Sequence, residues 1–152
     1  MTATELSLFG RVALGSLFGF LIGLEREYRG KPAGERTFAL LALGAAAFTG
    51  VGVELFPASA EKVIAGVATG VGFLGAGIIF RMEEGSPRGL TTAASSWTAT
   101  AIGVLCGSAL YLTAALSTVL ALVILESDRI PLVRSLLEFA RGREDLPDDE
   151  HG

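Results

Sequence analysis

Residues 91–125 read TTAASSWTATAIGVLCGSALYLTAALSTVLALVIL, thirty-five residues without one Asp, Glu, Lys or Arg. A single helix of that length would run about 52 Å at ~1.5 Å per residue. The hydrocarbon core of a bilayer is only about 30 Å thick. The stretch therefore reads as two spans, about 91–107 and 108–125, joined tightly near Gly107-Ser108. Working outward, blocks 63–80 and 37–53 also carry no charge, and block 6–24 carries only Arg11. Every other charged residue lies outside these blocks. A soluble domain needs charge on the exposed side of each element, so this segregation predicts an all-α polytopic membrane bundle of five helices.

Composition agrees with that reading. Hydrophobic residues make up 51% of the 152-residue chain, before its 20 glycines are added. Charged residues make up 18%, below the ~25% of soluble chains. A net charge of −4 offers no electrostatic case for nucleic acid. The lone Cys106 cannot form an internal disulfide and reads as a small packing residue. The start, Met1 to Glu5, is neutral to acidic, unlike a secretory signal, so the first block is expected to be a retained helix.

Basic residues set the orientation. Arg26, Arg29, Lys31 and Arg36 follow the first helix, and Lys62 alone follows the second. Arg81 and Arg88 follow the third, the turn at Gly107 has none, and Arg129, Arg134, Arg141 and Arg143 follow the fifth. Ten lie on one side and one on the other. The positive side is cytoplasmic, which puts the N-terminus outside and the C-terminus inside. Beyond residue 125, Leu132, Val133, Leu136, Leu137 and Ala140 suggest a short amphipathic helix within 126–152, before an acidic end.

Between membrane helices, small residues permit close backbone approach. Gly15, Gly19 and Gly23 form a four-residue stripe on the first helix, and Ser95, Ala99, Gly103 and Gly107 form one on the fourth. The third carries Gly66, Gly70, Gly72, Gly75 and Gly77 on more than one face, and is expected to be the central element. More small-residue surface is present than one chain pairs internally. A homo-oligomer, a dimer first, is therefore expected, with its seam on the first-helix stripe.

Two stretches carry candidate chemistry. The first is a charged cluster of Glu25, Arg26, Arg29, Arg36 and Thr37, where a carboxylate at the hydrocarbon edge needs a partner. Arg26, Arg29 or Arg36 can supply it, and Glu25 and Arg36 are expected to lie close together. The second is Gly89, Thr91, Thr92, Ser95, Ser96 and Trp97, with Thr98 and Thr100 beyond: six hydroxyls in ten residues. Facing the bundle, these bond across helices or form a small polar site; facing lipid, they bond back to their own carbonyls. Thr91 or Thr92 is also expected to cap the helix. Arg11 is expected to snorkel to the outer interface. No span holds Asp or Glu, which counts against a simple Mg²⁺ path. No catalytic pair, metal cluster or cofactor loop is visible, so no enzyme is expected.

The blocks Gly23-Leu24-Glu25-Arg26-Glu27, Ala33-Gly34-Glu35-Arg36-Thr37, Gly70-Val71-Gly72-Phe73-Leu74-Gly75-Ala76-Gly77 and Arg88-Gly89-Leu90-Thr91-Thr92-Ala93-Ala94-Ser95-Ser96-Trp97 resemble, in order, the transmembrane domain of the MgtC/SapB family of bacterial membrane proteins. The resemblance covers about residues 10–125. It implies a multi-pass protein of the bacterial inner membrane, linked to Mg²⁺ limitation, acid stress and virulence. Family members look like regulators, one of them an inhibitor of F-type ATP synthase. Many carry a soluble C-terminal domain of ACT-like fold, for which the 27 residues after position 125 are too few. Two readings follow: a non-enzymatic regulator contacting another membrane complex, or a transporter of Mg²⁺ or a small solute.

Overall fold

The computed structural model describes residues 2–80 and 89–129. Arg81, Arg88 and the expected amphipathic and acidic segments past residue 129 lie outside the described residues. Five α-helices follow one another: α1 (Ala3–Tyr28), α2 (Glu35–Leu55), α3 (Ala60–Phe80), α4 (Leu90–Gly107) and α5 (Tyr111–Leu125). Short 3-10 turns occupy Pro57–Ser59 and Ser127–Arg129, and no strand occurs among the described residues.

Local chemistry sets the ends. Thr2 and Glu5 form a reciprocal capping box at the start of α1 (Glu5 N–H to Thr2 Oγ1, 3.2 Å; Thr2 N–H to Glu5 Oε2, 2.6 Å), satisfying two donors the helix itself leaves free. Gly89 opens α4 with φ 118°, a left-handed backbone that suits glycine. No side chain caps that helix, so neither Thr91 nor Thr92 plays the capping role expected of them. The link between α4 and α5 is tight: the N–H of Leu110 donates to the Leu105 carbonyl at 2.9 Å.

Three described stretches are long and apolar enough to cross a membrane: Ala3–Tyr28, Glu35–Leu55 and Pro57–Ile79. α5 is apolar but has only 15 residues, about 22 Å of helix.

The packing departs from expectation in two ways. First, the centre is α2 and α4, against which α1 lies along most of its length. α3 is peripheral, touching α4 and, less, α2. Ideal Cβ atoms built on Gly66, Gly70, Gly72 and Gly77 meet nothing within 4 Å, and one on Gly75 meets only the Ala93 Cβ at 3.9 Å. A glycine-rich helix thus follows the bundle without being gripped by it. Second, the α1 stripe is covered within the chain, not free for a second copy. A Cβ on Gly15 would meet the Ala46 Cβ at 3.0 Å, one on Gly19 would strike the Phe38 carbonyl, and one on Gly23 would reach the Glu35 Cα at 2.5 Å. Gly103 sits on the backbone of Ala42 and Gly107 on the carbonyl of Ala46. α1 and α4 thus meet the same small-residue stretch of α2, Ala42, Ala45 and Ala46, and each other, a Cβ on Gly15 lying 3.5 Å from the Cys106 Cβ. Ile22, Phe38, Ile102 and Cys106 complete the core.

Candidate functional site

At the α1–α2 loop end, α1 continues past its apolar block and carries Glu25 and Arg26 on its last turn, with Arg29 as its C-cap. Arg26 is only 1% exposed. Its Nε–H donates to Glu25 Oε2 and its Nη2–H to Glu25 Oε1 at 2.6 Å, a two-pronged grip whose planar geometry suits arginine. Arg29 joins the same carboxylate, Nε to Oε1 at 2.7 Å, across one helical turn. Arg29 Nη2 also reaches Glu126 at 3.0 Å, just past α5. Arg129 closes the group, with Nη1 3.3 Å from Glu126 and its guanidinium 5.7 Å over the Tyr28 ring. The cluster therefore ties the end of α1 to the end of α5.

Arg36 is not part of it. Its side chain is 90% exposed and lies 3.6 Å from Glu35. The expected Glu25–Arg36 pair is corrected: Arg26 and Arg29 are nearer along the same helix and saturate Glu25 first. Arg36 and Thr37 instead line a small polar chamber of about 330 Å³ with Glu27, Gly34 and Glu35. Among the described residues, Arg26 Nη1 is a buried donor without a hydrogen-bond partner.

Of the α4 hydroxyl residues, Thr92, Ser95, Ser96 and Thr100 are buried, yet the hydroxyl bonds of this helix do not cross to another. Ser95 donates to the Thr91 carbonyl (2.6 Å), Ser96 to Thr92 (2.9 Å) and Thr100 to Ser96 (2.9 Å). Half-buried Thr98 does the same with Ala94 at 3.0 Å. Nor do these residues converge on one spot. Thr91, Ser95 and Thr98 share a cavity of about 330 Å³ with Ile22 of α1 and Ser117 of α5. Thr92 and Ser96 lie in the core, whereas Trp97 turns toward Val67 and Val71 of α3. Gly89 acts only as the helix start.

Sequence reasoning missed a clasp at the other end. Arg11 does not snorkel away. Its Nη2 pairs with Glu54 Oε1 of α2 at 2.6 Å and its Nη1–H donates to the Gly107 carbonyl of α4 at 3.1 Å. A cation at a helix C-terminus satisfies a free carbonyl and the negative end of the dipole. The signal was legible: Arg11 lies seventeen residues before the end of α1 and Glu54 nineteen after the start of α2. In an antiparallel hairpin both then stand about 26–28 Å from the loop.

The MgtC family model matches residues 12–130, a range that runs from just past Arg11 to just past Arg129 and contains the charged cluster and all of α2 to α5. The chain belongs to the MgtC family. Protein MgtC of Brucella abortus (strain 2308) is 47% identical over 125 residues, 81% of this chain and 51% of that protein. Protein MgtC of Salmonella typhimurium (strain LT2) is 45% identical over 106 residues, 70% of this chain and 46% of that protein. The chain spans about half the length of these MgtC relatives. No solved structure matches it significantly. Family membership and apolar helices together describe a membrane protein of the MgtC type. Among the described residues, no group of three His, Cys, Asp or Glu is placed to hold a metal ion.

Proposed function

We propose that this MgtC-type chain is a non-enzymatic regulator in the bacterial inner membrane, crossing it five times with its N-terminus outside and C-terminus inside. Its role is tied to magnesium homeostasis, stress or virulence, through contact with another membrane complex such as F-type ATP synthase. The observation that carries the regulator over the transporter is the pairing of carboxylates. A path for a divalent cation needs oxygen ligands that are free to bind it. Here Glu25 is held by Arg26 and Arg29 and Glu54 by Arg11.

The outer face of α3 supplies contact surface. Thr69 and Gly72 are exposed there, beside an 81% exposed Phe73. We place a homodimer seam on this face, in place of the α1 stripe that α2 already covers. Purified protein in proteoliposomes should pass no more Mg²⁺ than empty vesicles; saturable uptake favours the transporter reading instead. In a Cys106→Ala background, Gly72→Cys should crosslink two copies, and a monomer at every α3 position removes the dimer.

A further inference from the structure

The cleft between α2 and α3 and the polar chamber at the start of α2 lie one helical turn apart on α2, Arg36 and Thr37 lining the chamber and Leu40 and Leu41 the cleft. The cleft holds about 460 Å³ and is lined by Leu40, Gly44 and Phe48 of α2 with Gly66, Gly70 and Leu74 of α3. That is the size of an ordinary small-ligand pocket. Its shape is a wedge. At one end α2 and α3 touch: a Cβ on Gly52 would meet Val63 side-chain carbons at 3.2 Å. Toward the other end they part, and Cβ atoms on Gly44, Gly66 and Gly70 meet nothing within 4 Å. Arg36 and Thr37 stand one turn before Leu40 and Leu41, at that open end.

We propose that this wedge holds one acyl chain of a phospholipid whose headgroup carries both a phosphate and a primary ammonium, and that the chamber binds the headgroup. The inference rests on the membrane reading above, not on the regulatory one. Leu40 to Phe48 covers about 12 Å of helix, less than half of the ~30 Å hydrocarbon core, so the wedge accepts a chain from a single leaflet. A second helix, about 10–12 Å across with its side chains, does not run through a cleft closed at one end; a tapering hydrocarbon tail does.

The headgroup follows from the charges. The chamber sets one guanidinium, Arg36, beside two carboxylates, Glu27 and Glu35, with the Thr37 hydroxyl. A purely anionic headgroup meets two like charges there. A headgroup with phosphate on Arg36 and ammonium on the carboxylates meets opposite charge at both places.

The test is native mass spectrometry of the full chain released from nanodiscs of equal phosphatidylethanolamine and phosphatidylglycerol. One phosphatidylethanolamine per chain should survive, at least about fivefold over phosphatidylglycerol, a modest difference of binding free energy. Gly70→Leu, whose side chain enters open space, should lower retention about tenfold while helicity and α1–α2 packing stay intact. A Glu27→Gln, Glu35→Gln double variant should shift the preference toward phosphatidylglycerol. Equal retention of both lipids, retention untouched by Gly70→Leu, or a second copy of the chain in place of lipid overturns the proposal. A chain that fails to enter nanodiscs at all instead overturns the membrane reading.

Discussion

Gly103→Ala and Gly70→Ala make the same chemical change in two helices and should have unlike effects. At position 103 the new Cβ would lie 2.9 Å from both the Ala42 Cα and the Ala45 Cβ, and would strike the Ala42 carbonyl. Carbon atoms rest about 3.5–4.0 Å apart, so α2 and α4 must separate by roughly 0.6–1 Å. Ala42 offers backbone there, which has no rotamer to yield. Overpacking of this kind costs about 1–3 kcal/mol. At position 70 the Cβ meets nothing within 4 Å. Both changes share the gain in helix propensity, about 0.8–1.0 kcal/mol for Gly→Ala, so it cancels in the comparison. Gly103→Ala should therefore be about 1–3 kcal/mol less stable than Gly70→Ala. Unfolding in mixed micelles with rising SDS fraction, followed by circular dichroism, measures that difference. Two variants that unfold together would refute the claim that α2 and α4 meet at backbone distance while α3 stands apart.

Glu25→Ala leaves the buried Arg26 without its anion and should cost about 3–5 kcal/mol, with Glu25→Ala, Arg26→Leu recovering much of it; a double variant no better than the single one counts against the pairing. Arg36→Ala, on an exposed side chain, should change stability by less than about 1 kcal/mol in the same assay. A double-mutant cycle on Arg11 and Glu54 should give a coupling of about 0.5–3 kcal/mol, which vanishes if the clasp does not form. A reporter fused after Gly152 should be active only in the cytoplasm, and periplasmic activity there would sink the proposed five-span count.

Helix positions were plain in the sequence because charge and apolarity segregate so sharply. Blocks 37–53 and 63–80 fall inside α2 and α3, and the break at Gly107 falls where the 35-residue block turns. Which glycines are gripped was not plain. Composition marks a surface as able to approach another, but the partner's shape decides whether it does. α2 presents Phe38, Ala42 and Ala46 to the α1 stripe and Ala42 and Ala45 to Gly103, whereas α3 leaves α2 after Val63. Of the expected charged cluster, Glu25, Arg26 and Arg29 lie together, whereas the Glu25–Arg36 pairing was misread. Arg26 is adjacent to Glu25 in sequence and its long side chain curls back to it, while Arg36 lies across a turn. The hydroxyl run was legible as unusual, yet burial did not make its bonds inter-helical, because the i−4 carbonyl is always within reach.

That last feature bears on how the protein is made. A helix whose polar side chains need a neighbour must wait for that neighbour before hydrocarbon suits it. α4 has no such dependence through Ser95, Ser96, Thr98 and Thr100, since their protons are already engaged one turn back. On the five-span reading proposed above, α4 would enter the bilayer with those four protons already satisfied, and its docking onto α2 would rest on contour more than on polar contacts.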